Sequence, residues 1–160
     1  MLTRTGWDHG VFVPMTLINP AANIPIVQLS VLSSESPSQH YAIGRALASL
    51  RSSNVAIIGS GMPTFHNLRL MFSGPNAGVQ RRNTQWSQAL TETIEIDNSE
   101  ERGKKLEGWR DIVGAKEAHP QGGVDHFLPL IVCAGAAGDG KAGSFADEVM
   151  GTQQYSYYWT

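Results

Sequence analysis

Five histidines, His9, His40, His66, His119 and His126, are the residues most able to do chemistry in this chain. Imidazole can ligate a metal or move a proton near neutral pH. Four of the five stand at the ends of loops. The apolar run Val55-Ala56-Ile57-Ile58 enters the glycine turn Gly59-Ser60-Gly61, and His66 follows within a few residues. Asp125-His126 opens a second apolar stretch, Phe127-Leu128-Pro129-Leu130, shortly after His119-Pro120, and Asp8-His9-Gly10 lies near the start. An α/β protein keeps its chemistry in this way, with side chains gathered at the carboxyl edge of a sheet. Asp8 and Asp125 each adjoin a histidine, but neighbouring side chains rarely touch, so sequence alone does not establish a carboxylate–imidazole pair. His40, beside Tyr41 in a helical stretch, reads as a surface or edge residue. Cys133 lies in an apolar helix and reads as inert packing rather than as a nucleophile.

Several chemistries are excluded. Gly59-Ser60-Gly61-Met62-Pro63-Thr64 keeps only two glycines of a dinucleotide-binding loop, and Pro63 interrupts the helix start that would hold a pyrophosphate. Ser60 lacks the setting of a hydrolase nucleophile, because Ile58 stands where that motif has its first glycine. There is no P-loop, zinc-finger spacing or His-Glu-x-x-His helix. The 160 residues fit one domain, 1–160, and 41% are hydrophobic against 16% charged. A net charge of −2 offers no footprint for nucleic acid and no polybasic membrane patch. No apolar run reaches the ~20 residues of a membrane span. The first ten residues carry no secretion signal, and the single cysteine fits a reducing compartment, so a cytoplasmic location is expected.

The elements that must position these histidines alternate. Residues 11–18 read as a short helix closed by Asn19-Pro20, and 24–32 as a buried strand rich in β-branched residues. Ser36 is a helix cap with Pro37 at the first helical position, and the helix runs to about Leu50 with Ile43, Ala46, Leu47 and Leu50 inward. Residues 52–54 turn into a second strand, 55–58, completing a right-handed βαβ unit. After a loop at 72–78, residues 83–96 and 100–113 read as helices packed as an outer pair or as one long broken helix. Trp86, Leu90 and Ile94 point inward from the first, and Leu106, Trp109 and Val113 from the second. Residues 114–124 form a loop, 126–137 an apolar helix with Pro129 in its first turn, 137–143 a mobile loop and 153–159 a last strand. The fold class expected is a three-layer α/β/α domain with a central mixed sheet.

Trp7-Asp8-His9-Gly10 with Val13-Pro14, Ile24-Pro25-Ile26-Val27-Gln28-Leu29-Ser30, Gly59-Ser60-Gly61 with His66-Asn67-Leu68, and His119-Pro120 before Asp125-His126-Phe127-Leu128-Pro129-Leu130 together carry a resemblance. In this order they resemble the class III extradiol ring-cleavage dioxygenases, and within them the DOPA-type branch of plants, fungi and bacteria. The resemblance implies a non-haem Fe(II) site, or Zn(II) in some members, and insertion of both atoms of O2 into a catechol ring beside the diol. It implies that His126 is a metal ligand and that His66 is a ligand or acid/base residue. His9 would hydrogen-bond substrate or oxygen and shuttle a proton. His119 would line the substrate pocket, with Phe127 beside it. The partners implied are a catechol and O2.

Family members carry a long segment before the Asp-His-Gly motif, holding two further histidine ligands and the first strands of the sheet. Relative to that pattern the chain is N-terminally truncated, which leaves His66 and His126 as its ligands. Little turnover is expected of these residues alone, and an uncovered sheet edge or core face is expected where the segment would lie. A complementing N-terminal fragment or a second copy is the partner this implies. Two other readings stay open: a non-catalytic partner-binding remnant of the fold, and a metal-dependent hydrolase using His66 and His126 with a bound water.

Overall fold

A computed structural model describes residues 6–74 and 76–160. Helix α1, His9–Ile18, starts where the Asp8 carboxylate accepts from the Gly10 amide, a side-chain N-cap, and ends at Asn19 as the Asn-Pro signal predicts. Residues 25–31 then run outside helix and strand. Ser36 caps α2, Pro37–Leu47, with Pro37 in its first turn, and a 3₁₀ turn over Ala48–Ser53 continues it. Asn54 adopts a left-handed conformation at φ 58° and reverses the chain into a second such segment, 55–61.

These two segments are where the expected sheet fails to form. Among the described residues, no backbone-to-backbone hydrogen bond involves residues 25–31 or 55–61. The β-branched composition is right for extended backbone, but the segments do not pair with each other. The described sheet is instead a two-stranded antiparallel hairpin of β1, Gly143–Val149, and β2, Thr152–Tyr158. The central mixed sheet of three layers is thus corrected to a mixed α/β arrangement of helices around one hairpin.

Between the second segment and the hairpin lie five more helices: α3 (Leu68–Met71), α4 (Ala77–Ile94), α5 (Ser99–Glu107), α6 (Ala115–Ala118) and α7 (Leu128–Ala136). Helix α4 starts six residues before the expected Asn83, because the Asn76 side chain accepts from the amides of Gly78 and Val79. Trp86, Leu90 and Ile94 face inward and are fully buried. Helix α5 stops at Gly108, which puts Trp109 in a 3₁₀ turn and removes the helical spacing that would have turned Val113 inward. Val113 is 59% exposed. The loop after α7, expected to be mobile, is pinned. The Arg102 guanidinium donates to the carbonyls of Gly138 and Gly140, the Gly140 amide donates to the Asp97 carbonyl at 2.8 Å, and the Asp139 carboxylate accepts from the Ser99 amide at 2.8 Å.

Helix α2 packs against α7 through glycines. A Cβ on Gly44 would stand 2.0 Å from the Val132 carbonyl oxygen, and one on Gly135 would stand 2.3 Å from that of Tyr41. This contact turns His40, Tyr41 and Gly44 inward and leaves Ala46 and Leu50 facing solvent, a rotation from the expected face. His40 is therefore not a surface residue. It is fully buried, its Nδ1 lies 2.6 Å from the Ser36 carbonyl oxygen, and its Nε2 accepts from the Leu32 amide at 2.9 Å. Gly44→Ala is expected to push the helices apart and lower stability by about 1–3 kcal/mol, read by urea denaturation. A midpoint equal to that of the unaltered chain would refute the close crossing of α2 and α7.

The core centres on Trp86, Trp109, His119 and Phe127, with the Trp109 and Phe127 rings 4.5 Å apart. No helix among the described residues is long and apolar enough to cross a membrane.

Candidate metal centre

His66 and His126 come together although sixty residues separate them. Their rings stack with centroids 3.5 Å apart and planes 14° from parallel. The ligand atoms of His66, Asp125 and His126 all lie within 4.8 Å of one another. Each side of this cluster is held from behind. The His66 amide donates to the Ala118 carbonyl at 3.0 Å, and Asn67 Nδ2 donates to that of Glu117 at 2.7 Å. Strand β2 fixes the two residues before His66. Thr64 Oγ1 donates to Gln154 Oε1 at 2.9 Å, and Gln154 Nε2 donates to the Phe65 carbonyl at 2.9 Å.

The glycine turn has a packing reason. A Cβ on Gly59 would stand 2.8 Å from Cys133 Sγ and from the Pro129 carbonyl oxygen, and one on Gly61 would stand 2.3 Å from the His126 carbonyl oxygen. Glycines here let the backbone press against the start of α7, where His126 sits.

His126 is half-buried. Burial chiefly, then the nearby His66 and His9, lower its pKa from the ordinary value, while the Asp125 carboxylate opposes the shift. Its Nδ1 is buried without a hydrogen-bond partner. Buried polar atoms are seldom left unpaired. An imidazole kept neutral, a second imidazole stacked on it and a carboxylate within reach form a donor set that fits a divalent cation. Two histidines and one carboxylate with open positions are typical of non-haem Fe(II) oxygenases.

His9 stands at the rim. Its side chain is 72% exposed, and its Nδ1 lies 3.0 Å from the Asp8 carboxylate. The carboxylate–imidazole pair that sequence could not establish is therefore present at Asp8-His9. His119 and Phe127 are fully buried, with rings 5.0 Å apart, and neither shows surface to a ligand. His119 Nε2 lies 2.8 Å from the Pro63 carbonyl oxygen, so it braces the turn behind His66, and burial drives its pKa down to about 4. Burial pushes the Cys133 thiol up to about 11, as suits a packing residue. Sequence reasoning missed Asp125 as a donor. Its only signal was adjacency to His126, which acquires meaning once the chain bends before α7. A cavity of about 520 Å³ adjoins His126, with Ile57, Pro129, Leu130, Tyr157 and Trp159 among its walls.

The described residues thus bring two histidines and a carboxylate together, with His126 also lining a cavity that has Tyr157 and Trp159 in its wall. Residues 1–159 match the family described as the catalytic LigB subunit of aromatic ring-opening dioxygenase, and the chain belongs to that family. It is 49% identical over 164 residues to the dioxygenase tasH of Hapsidospora irregularis, covering 96% of this chain and 49% of that one. It is 37% identical to a 4,5-DOPA dioxygenase extradiol of Beta vulgaris, covering 85% and 48%. The chain thus spans about half the length of these curated relatives. The crystal structure of an uncharacterized Escherichia coli K12 protein, JW3007, superposes with a TM-score of 0.74 at 29% identity, covering 96% of this chain and 63% of that one.

Proposed function

We propose that this chain takes part in opening a catechol ring beside its diol with O2, at an Fe(II) or Zn(II) held by His66, Asp125 and His126. The observation that carries this reading is the convergence of those three donors, and the names of the relatives give the reaction class. When bound, the metal would lower the pKa of a catechol hydroxyl and leave positions open for the diol and O2. His126, kept neutral by burial and by His66, is ready as a ligand without first losing a proton. His66, in face contact with it, brings the second imidazole donor to the same place. His9, whose Nδ1 is turned to Asp8, keeps Nε2 for a proton or hydrogen bond at the rim. The cavity beside His126, with Ile57, Pro129, Leu130, Tyr157 and Trp159 in its wall, is where the ring would lie.

Calorimetric titration with Fe(II) under anaerobic conditions is expected to show one site per chain. Asp125→Asn and His126→Ala are each expected to weaken it by about tenfold or more. Oxygen uptake with DOPA or a simple catechol then tests the reaction. Metal affinity unchanged in both variants would remove the site. Zinc-dependent ester hydrolysis without oxygen uptake would favour the hydrolase reading.

A further inference from the structure

His119 is an imidazole in a place built for an apolar side chain. It is fully buried, with the Trp86 and Trp109 rings edge-on to it at 6.2 and 6.0 Å and the Phe127 ring 5.0 Å away. Leucine or phenylalanine would fill such a cage without burying a polar atom. The imidazole instead buries two nitrogens and satisfies one. Nε2 lies 2.8 Å from the Pro63 carbonyl oxygen, so the ring N–H is on that nitrogen and donates there. Nδ1 is then a lone pair, buried without a hydrogen-bond partner. Native folds seldom leave such a group unpaired, and here it accompanies a single gain, the bond to Pro63.

That bond has a particular position. Pro63 stands three residues before His66, in a run outside helix and strand. The end of α6 grips the same run twice more, where the Ala118 carbonyl accepts from the His66 amide and the Glu117 carbonyl accepts from Asn67 Nδ2. On its other side the His119 ring packs on Phe127, the residue after His126. One rigid ring is thus wedged between the segment that carries His66 and the segment that carries His126, whose own imidazoles stack 3.5 Å apart.

We infer that His119 is a positioning residue for the metal centre, one that sets the spacing of the His66 and His126 imidazoles without touching metal or substrate. Lining a substrate pocket needs surface, and this ring has none. Groups behind a metal site commonly bond to the ligand's own ring. Here the hold is one step removed and acts through the backbone ahead of His66 and the side chain after His126. The inference rests on the site proposed above, and its test is read both without metal and with it.

In the metal-free 160-residue chain, ring protons of His66 and His126 are expected to show a nuclear Overhauser contact. His119→Gln, whose amide can still donate to Pro63, is expected to keep it. His119→Leu, which keeps an apolar body but no donor, is expected to lose it. Anaerobic calorimetry with Fe(II) is expected to follow the same order, with affinity at least about tenfold weaker for His119→Leu and close to the unaltered value for His119→Gln. Gly44→Ala loosens the packing of α2 on α7 and serves as the control for lost stability, and it is expected to keep both readouts. A folded His119→Leu chain with ring contact and affinity intact would overturn the inference, as would a Gly44→Ala chain that loses both to the same extent. A measurement on the unaltered chain covers a leucine variant that does not fold. The His119 Nε2 proton is expected to exchange slowly and to shift when Zn(II) is added, although its ring touches no metal. No shift at saturating Zn(II) would overturn the inference. An unaltered chain that takes up no metal would remove the site proposed above, and the ring contact, read without metal, would still decide the role of His119.

Discussion

Arg102→Ala is expected to lower stability by about 3–5 kcal/mol, a large share of the 5–15 kcal/mol typical of a domain. The guanidinium is fully buried. Its Nη1 donates to the carbonyls of Ile96 at 2.6 Å and Gly140 at 3.3 Å, and its Nη2 to those of Ala134 at 3.1 Å and Gly138. Ala134 lies in the last turn of α7, where helix carbonyls lack intrahelical partners, and Gly138 just beyond the cap. One side chain thus closes α7, holds the loop into β1 and ties both to α5. Alanine would strand four carbonyls and open a cavity. Arg102→Lys, a point charge without a planar fork, is expected to fall between the two. Urea denaturation measures this. A midpoint shift equivalent to less than about 1 kcal/mol would show that the carbonyls find other partners.

Acid is expected to weaken the fold through His119. In the unfolded chain this imidazole takes a proton near its ordinary pKa of 6.5, but in the folded core it does so only near 4, because burial among aromatic rings penalises the charge. Between those values the unfolded state binds more protons, so stability falls as the pH drops through the window and is fully present above it. The gap corresponds to about 3 kcal/mol. His119→Gln keeps a donor towards the Pro63 carbonyl and removes the titration. Denaturant midpoints followed from pH 7 to 4 should decline more steeply for the unaltered chain than for the variant. Parallel curves would refute the assignment.

The local chemistry of the helices was legible in the sequence. Asp8, Ser36 and Pro37 mark helix starts where the caps are found, and the spacing of Trp86, Leu90 and Ile94 identifies the inward stripe of α4. His66 and His126 were singled out by their place at loop ends, and the fold stacks them. What sequence could not show is set by long-range contact. The inward face of α2 is chosen by two glycines that let backbones meet, so the periodicity of Ile43, Leu47 and Leu50 pointed elsewhere. His40 looked superficial because nothing nearby in sequence announces its bond to Leu32. Strand β1 has five exposed central residues and no alternation to read. It exists because a two-residue turn at Met150-Gly151, both at positive φ, folds it onto β2. Residues 24–32 and 55–58 read as strands from their β-branched composition, but neither is a strand in the structure and most of their side chains are exposed, because whether such a segment joins a sheet depends on its neighbour.

The open backbone of residues 25–31 also bears on the lifetime of the molecule in a cell. Proteases bind their substrates as extended chains and read them by main-chain bonds, and this stretch lies outside helix and strand with no backbone-to-backbone hydrogen bond among the described residues. A cut inside a helix or the hairpin must wait for it to open, whereas here no such element has to open first. The segment is therefore one place where degradation can begin, and whatever covers it also acts as a guard on turnover.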